Sequence, residues 1–379
     1  KKQQKKQLRL MKKFWKTDKN TILFIVKVFT IWRLFLFFIE ILSGIIPLNR
    51  GYLGSLPWAN FDGVHYLHIA QYGYQTYEQA FFPLFPFLIK SLSILFINNY
   101  LISSLFIVHA SLLIALLFFY KLLAFDFEDK IVKWFIALFL FFPTSFFFVS
   151  IYTESLFLMF VILSFYLARK KNFILASVIA GFASATKLVG IFLLPALILE
   201  FYLQNKDRIY LKFYILNLIS IIVLSSSGLV AYIFYLWKVY GDPLLFIHSL
   251  PAFGVGRSGG EVIFLPQVIF RYLKIFITVP FFNHDFPIAL LEFNLFSMFL
   301  FILILNIKKI RLSYLIFSIF AIMTPTLSGT LSSIPRYLLV VFPVFVILAQ
   351  YKYKKALLGL FIIFLIILTA FFLRGYFIA

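Results

Sequence analysis

The sequence predicts an all-α, polytopic membrane protein with about 11 transmembrane helices and short interfacial helices in its first outer loop. Three observations predict it. The 379-residue chain is 63% hydrophobic and only 13% charged, whereas soluble domains are about 45–50% apolar and about 25% charged. So many apolar side chains exceed what one water-facing particle of this size buries, and disorder fails for the same reason. Apolar runs long enough to cross a bilayer recur along the chain. Lysine and arginine clusters fall in every second connection, as the positive-inside rule requires.

The elements follow in chain order. A basic N-terminal segment, 1–20, precedes one polytopic domain over 21–379. Spans are expected at 21–47, 99–124, 131–150, 153–169, 212–238, 288–307, 311–328, 336–350 and 354–374. The stretch 172–203 is too long for one ordinary span, and Lys187-Leu188-Val189-Gly190 lies near its middle. It reads as two short helices, 172–186 and 188–203, meeting at one membrane face. Two further apolar stretches, 81–97 and 264–282, read as interfacial or re-entrant. Pro83 and Pro86 break the first, and Arg271 and Lys274 sit inside the second.

The N-terminal basic cluster orients its end toward the cytoplasm, and the later clusters agree. They are Lys121/Lys130/Lys133, Arg169/Lys170/Lys171, Lys206/Arg208/Lys212, Lys308/Lys309/Arg311 and Lys352/Lys354/Lys355. The two sizeable connections on the outer face are then 48–98 and 239–287. The first apolar stretch is too long for a cleaved signal peptide, and no small-x-small site follows it. No internal repeat or low-complexity linker is visible.

A net charge of +21 suggests a polyanion partner. Sorted by connection, most of it is instead an orientation signal, so no nucleic-acid partner is expected; membrane lipids are. With no cysteine, disulfides, thiolate catalysis and Cys-ligated metals are excluded. The G-x-S-x-G elbow and the zinc-protease motif are absent. The run Gly254–Gly260 (GVGRSGG) lacks the following Lys-Ser/Thr and the preceding strand of a nucleotide loop, and reads as a flexible outer connection.

What remains is a small set of polar residues on the outer side, where each charge needs a reason. Asp62 opens a short amphipathic helix running to about Tyr72, and His65 and Tyr66 share its face. A carboxylate beside imidazole and phenol suits general-base work on a hydroxyl; a plain N-cap is the alternative. His65 and His68 have the spacing to touch a metal, but no second ligand pair accompanies them, so no metal is expected. Phe142-Pro143-Thr144-Ser145 and Tyr152-Thr153-Glu154-Ser155 form a second cluster, in which Glu154 at a helix start favours the helix dipole, and that alone is enough to explain it. Lys187 sits in an apolar hairpin, either snorkelling or binding an anion. Arg336 opens a helix on the outer face, where a cation opposes the dipole, which points to an anionic partner such as phosphate. Arg33 and Glu40, on one face of the first span, are expected to pair within the bundle.

These residues resemble a known family. The run Phe61-Asp62-Gly63-Val64-His65-Tyr66-Leu67-His68-Ile69-Ala70, then Gly73-Tyr74 and Ala80-Phe81-Phe82-Pro83-Leu84-Phe85-Pro86, resembles the PIG-V-like (GPI mannosyltransferase II) family of glycosyltransferase superfamily C. So do Pro143-Thr144-Ser145 with Tyr152-Thr153-Glu154-Ser155-Leu156-Phe157, Ala183-Ser184-Ala185-Thr186-Lys187 with Gly190, and Pro335-Arg336-Tyr337. The resemblance covers roughly 60 to 340. The family usually has Trp before the Asp where this chain has Phe61, and tends to Arg where this chain has Lys187.

The resemblance implies a membrane glycosyltransferase, with mannose as the expected sugar. It would take a hexose from a polyprenyl-phosphate sugar to a hydroxyl on a glycan, lipid or protein acceptor, on the outer face and with inversion. Asp62 would be the catalytic base. Lys187 and Arg336 would hold the donor phosphate, and His65, His68, Tyr152 and Glu154 would orient the substrates. The donor is a substrate, so no cofactor is implied. The Phe/Ile/Lys-heavy composition suits an AT-rich prokaryotic genome and a cell-membrane location. A lipid or sugar transporter or flippase is the rival reading, and it predicts a midplane cavity and repeat symmetry. A non-catalytic scaffold would leave the Asp62 loop without a pocket. The oligomeric state stays open.

Overall fold

The computed structural model describes residues 19–49, 52, 56–205, 211–254 and 256–378. Its regular elements are all helices, with no strand among the described residues. Five helices are long and apolar enough to cross a membrane. They are α1 (Lys19–Ser43), α4 (Tyr100–Leu123), Tyr214–Tyr240 within α9 (Leu211–Tyr240), α11 (Asp285–Leu305) and α14 (Lys354–Leu373). Between them come α2 (Asp62–Tyr72), α3 (Leu84–Ser93), α5 (Asp129–Leu140), α6 (Glu154–Arg169), α7 (Phe173–Thr186), α8 (Leu193–Gln204), α10 (Leu265–Thr278), α12 (Leu312–Thr326) and α13 (Phe342–Gln350).

The surface supports a membrane setting. Leu23, Leu34, Phe38, Ile41 and Leu42 of α1 are exposed, as are Leu216, Val223, Val230 and Phe234 of α9. Soluble proteins rarely show apolar surface on this scale. The molecule is therefore an all-helical protein of integral-membrane character.

The core forms around α6, which packs against α4 on one side and α7 on the other. From Glu154 to Phe165 nearly every side chain of α6 is buried. A helix enclosed on all sides must be apolar all round, which explains ESLFLMFVILSFYLA. It also means that the one carboxylate at its start has to find partners inside the protein. Helices α7 and α9 approach backbone to backbone: a Cβ on Gly228 would lie 2.1 Å from Gly181 O. Small residues permit this contact where lipid tails give helices little other reason to associate.

The expected helix boundaries hold in some places and move in others. The segment 172–203 is indeed two helices, α7 and α8, joined by a 3-10 turn over Leu188–Phe192. The expected span 131–150 instead stops at Leu140, because Pro143 cannot donate and disfavours helix in the residue before it. Short turns and a 3-10 segment, Ser145–Phe148, fill the remainder. The expected span 336–350 breaks into a single turn (Ile334–Tyr337), a 3-10 segment and then α13, whose first turn carries Pro343. The two ambiguous stretches form the short helices α3 and α10.

The expected Arg33–Glu40 pair does not form as a direct contact. Glu40 accepts a hydrogen bond from Trp58 Nε1 at 2.9 Å, and Arg33 donates to His109 Nε2 at 3.1 Å while lying over the Trp58 ring. Both side chains reach Trp58 rather than each other, so they tie the loop that follows α1 back onto it.

Candidate functional site

The first loop reaches its place through backbone contacts. Ile151 N donates to Trp58 O at 2.8 Å, and Tyr152 OH donates to Asn60 O at 2.8 Å. Asn60 Nδ2 donates to Phe372 O at 2.6 Å at the end of α14. These bonds hold Phe61 with φ 55, a left-handed conformation that non-glycine residues rarely adopt. Its ring packs on Phe372 and Phe377. Helix α2 therefore starts at Asp62 with Phe61 as its cap, and no side chain caps it.

The Asp62 carboxylate is engaged elsewhere: it pairs with Arg336 Nη1. The Arg336 turn is held just as firmly. Thr144 Oγ1 donates to Pro335 O at 2.8 Å, which gives the Pro143-Thr144-Ser145 motif a structural task. Ser333 has φ 69 and accepts from Arg336 N and Tyr337 N at 3.0 and 3.1 Å. Two residues with positive φ thus stand near the two partners of one ion pair. Such strain persists only where the surroundings enforce it.

Glu154 and Lys187 complete the cluster. Lys187 leaves the end of α7 in an extended conformation. Its Nζ donates to Glu154 Oε1 at 2.8 Å and lies 4.1 Å from the centre of the Tyr337 ring. Arg336 Nε sits 3.4 Å from the same oxygen, and its guanidinium lies 5.2 Å from the Tyr152 ring centre. Glu154 is 2% exposed, and its Oε2 has no hydrogen-bond partner among the described residues. Gly190 lets the turn after Lys187 close onto α7, since a Cβ there would lie 2.4 Å from Ala183 O.

These residues line a cavity of about 170 Å³ whose wall is otherwise largely apolar, with Phe81, Phe82, Phe246 and Phe253 among its residues. Asp62, Glu154, Lys187 and Arg336, which the sequence singles out, all line it. Tyr66, one turn after Asp62, lines it too. Burial works against ionisation of Asp62, but the Arg336 charge and hydrogen bond, with Arg257 and Lys187, outweigh it and hold the carboxyl below its usual range. The Tyr66 hydroxyl is pushed well above its usual value, by burial first and then by the Asp62 and Glu154 charges. It therefore stays a neutral donor beside two carboxylates.

Three expected residues lie outside the cavity wall. Tyr152 stands behind Arg336, supporting it as a ring and Asn60 as a donor. His65 and His68 turn away from Asp62. Both Nδ1 atoms reach the buried Glu78 Oε1, at 3.2 and 2.9 Å, and Gln75 N also donates to this carboxylate. His65 stacks on Phe81 and meets Phe253 edge-on, so it backs the cavity rather than entering it. Among the described residues no group of three or more His, Asp or Glu side chains is arranged to hold a metal ion.

Arg257 joins the candidate site without having stood out in the sequence. It lines the cavity, and its Nη2 donates to Ser333 Oγ at 3.1 Å. The glycines around it, Gly254 and Gly256, have positive φ, which lets the backbone turn and carry the arginine inward. The only sequence signal was a single cation inside a glycine run, which reads equally well as a solvated loop.

Comparison of the chain with family models, with curated proteins and with solved structures gave no match.

Proposed function

We propose that the protein is a membrane glycosyltransferase that moves a hexose, with mannose the favoured sugar, from a polyprenyl-phosphate donor to a hydroxyl acceptor on the outer face. One observation carries this reading. Asp62 converges with Lys187, Arg257 and Arg336 on a single cavity, although the segments supplying them are far apart in the chain. A carboxylate able to take a proton, opposed by cations able to hold a leaving phosphate, is what glycosyl transfer from a lipid phosphate needs.

The step is one in-line displacement. The acceptor oxygen attacks the sugar C1 carbon, and its proton passes to Asp62. The bond from C1 to the phosphate oxygen breaks, and that oxygen leaves with the electron pair as polyprenyl phosphate. The anomeric centre inverts. Lys187, Arg257 and Arg336 would share the phosphate charge, Tyr66 and Glu154 would hydrogen-bond the sugar or acceptor, and the isoprenoid tail would follow the aromatic wall.

The ion pair adds a coupling. Arg336 holds the Asp62 carboxyl below its usual range. A donor phosphate bound to Arg336 competes for that charge and makes Asp62 a stronger base once the donor has arrived.

The test is turnover of labelled polyprenyl-phosphate mannose by the purified protein with glycan, lipid and peptide acceptors. Asp62→Asn is expected to lower turnover by about 10²–10⁴-fold, the usual share of a general base. Turnover close to that of the unmodified protein would remove Asp62 as the base. Movement of intact donor across vesicles without cleavage would favour the transporter instead.

A further inference from the structure

A second cavity, of about 300 Å³, lies at the other end of the molecule. Helix α12 fixes the relation: Arg311 and Tyr314 at its start line this cavity, whereas Thr324 and Pro325 at its end line the Asp62 cavity. By the charge pattern of the connections, this is the cytoplasmic end.

Its charges sort into two groups. Asp126 is taken by Arg169 through hydrogen bonds of 2.6 and 2.8 Å. Arg311 is taken by the completely buried Glu200, at 2.7 and 2.6 Å. Those four charges neutralise each other in place. Lys308 and Lys309 remain, both exposed at the cavity and with no carboxylate partner among the described residues. The opposite wall is apolar, formed by Phe342, Pro343, Val346 and Ile347 of α13 with Phe127.

The position matters as much as the charge. The two lysines directly follow α11, one of the helices of membrane-crossing length, whose last turns expose Phe301, Ile304 and Leu305. The cavity therefore adjoins lipid-facing surface, with its cations at the level where headgroups lie. The geometry points to a binding site for an anionic phospholipid. The headgroup phosphate sits between Lys308 and Lys309, and the first part of an acyl chain lies along the α13 wall. A soluble phosphate would share the lysines but leave the apolar wall unused.

The test measures retention and thermal stabilisation of the full-length protein in zwitterionic phosphatidylcholine nanodiscs titrated with phosphatidylglycerol, with inorganic phosphate as the soluble competitor. Phosphatidylglycerol is expected to bind and to raise the melting temperature, with no such effect from added phosphatidylcholine or inorganic phosphate. Lys308→Gln with Lys309→Gln is expected to weaken binding about 10- to 30-fold, given the usual contribution of each lysine near an anionic surface. Ile347→Trp fills the apolar wall without changing charge and should also weaken it. Lys352→Gln with Lys355→Gln removes the same charge from the same end, outside the cavity, and should leave it intact. Equal binding by the Lys308/Lys309 variant and the unmodified protein would overturn the proposal. So would equal loss in the Lys352/Lys355 variant, which would mean bulk surface attraction, or displacement by inorganic phosphate. Undiminished binding by Ile347→Trp would overturn the acyl-chain placement.

Discussion

Arg336 and Asp62 stand 274 positions apart in the chain, yet their side chains pair directly at the wall of one cavity. Arg336 is almost wholly buried, and Asp62 opens to the cavity. The contact joins the start of α2 to the turn before α13, so the geometry of the candidate catalytic group depends on closure of the whole bundle.

The pair should be measurable as a coupling. A double-mutant cycle of Asp62→Asn and Arg336→Gln, followed by denaturant or thermal unfolding in detergent, is expected to give an interaction energy of about 1–3 kcal/mol. Strictly additive single effects would show that the pair contributes nothing to stability.

The pair also predicts a pH dependence with a definite sign. The Asp62 carboxyl in the folded protein lies below its ordinary value of 3.8. A depressed carboxyl stabilises the fold fully above its unfolded value and loses that contribution as pH falls through the folded one. The difference in melting temperature between the unmodified protein and Asp62→Asn should therefore be constant above about pH 5 and shrink as the medium becomes more acidic than pH 4. A difference that grew on acidification would contradict the assignment.

Lys187 should affect donor binding more than the rate of chemistry. It holds Glu154 Oε1 at 2.8 Å and faces the cavity. Lys187→Ala is expected to raise the donor KM about 10- to 100-fold, the range for a charged hydrogen bond, with a smaller change in kcat. An unchanged KM would remove Lys187 from the donor site. Glu154→Gln tests the partner: it should lower the melting temperature, because it leaves Lys187 and Arg336 with less compensating charge near the cavity.

Two glycines should respond to alanine in opposite directions. On Gly228 an added Cβ would meet Gly181 O at 2.1 Å, whereas nothing lies within 4 Å of one on Gly359. Gly228→Ala is expected to destabilise by about 3 kcal/mol, the upper end of overpacking costs. Gly359→Ala, in the interior of α14, should stabilise by about 0.4–1 kcal/mol through lost unfolded-state freedom. Melting temperatures of both variants in the same detergent check the pair.

Much of the helix pattern is legible in the sequence, and its failures have local causes. The split of 172–203 at Lys187 was readable because a charge and a glycine interrupt an apolar run. The early end of α5 is not legible in hydropathy, which passes across Pro143 unchanged while the helix cannot. Asp62, Lys187, Glu154 and Arg336 stood out as scarce charges in apolar surroundings, and all four reach one cavity. Arg257 did not stand out, because a cation in a glycine-rich loop carries no sign of where the loop folds. Where the histidines go is not legible either: at helical spacing His65 shares a face with Asp62, but Glu78, beyond the end of α2, draws it away.

The sequence by itself determined the class of protein, most helix positions and the few charges that need partners. Each of these is a sum over neighbouring residues, and hydropathy, proline position and charge scarcity are all local. Only the tertiary structure decided which charge meets which: that Arg336 takes Asp62, that Thr144 holds the turn carrying Arg336, and that Glu78 rather than the cavity takes the two histidines. A buried charge takes the nearest group able to compensate it, and nearness across hundreds of residues is settled by how the helices pack.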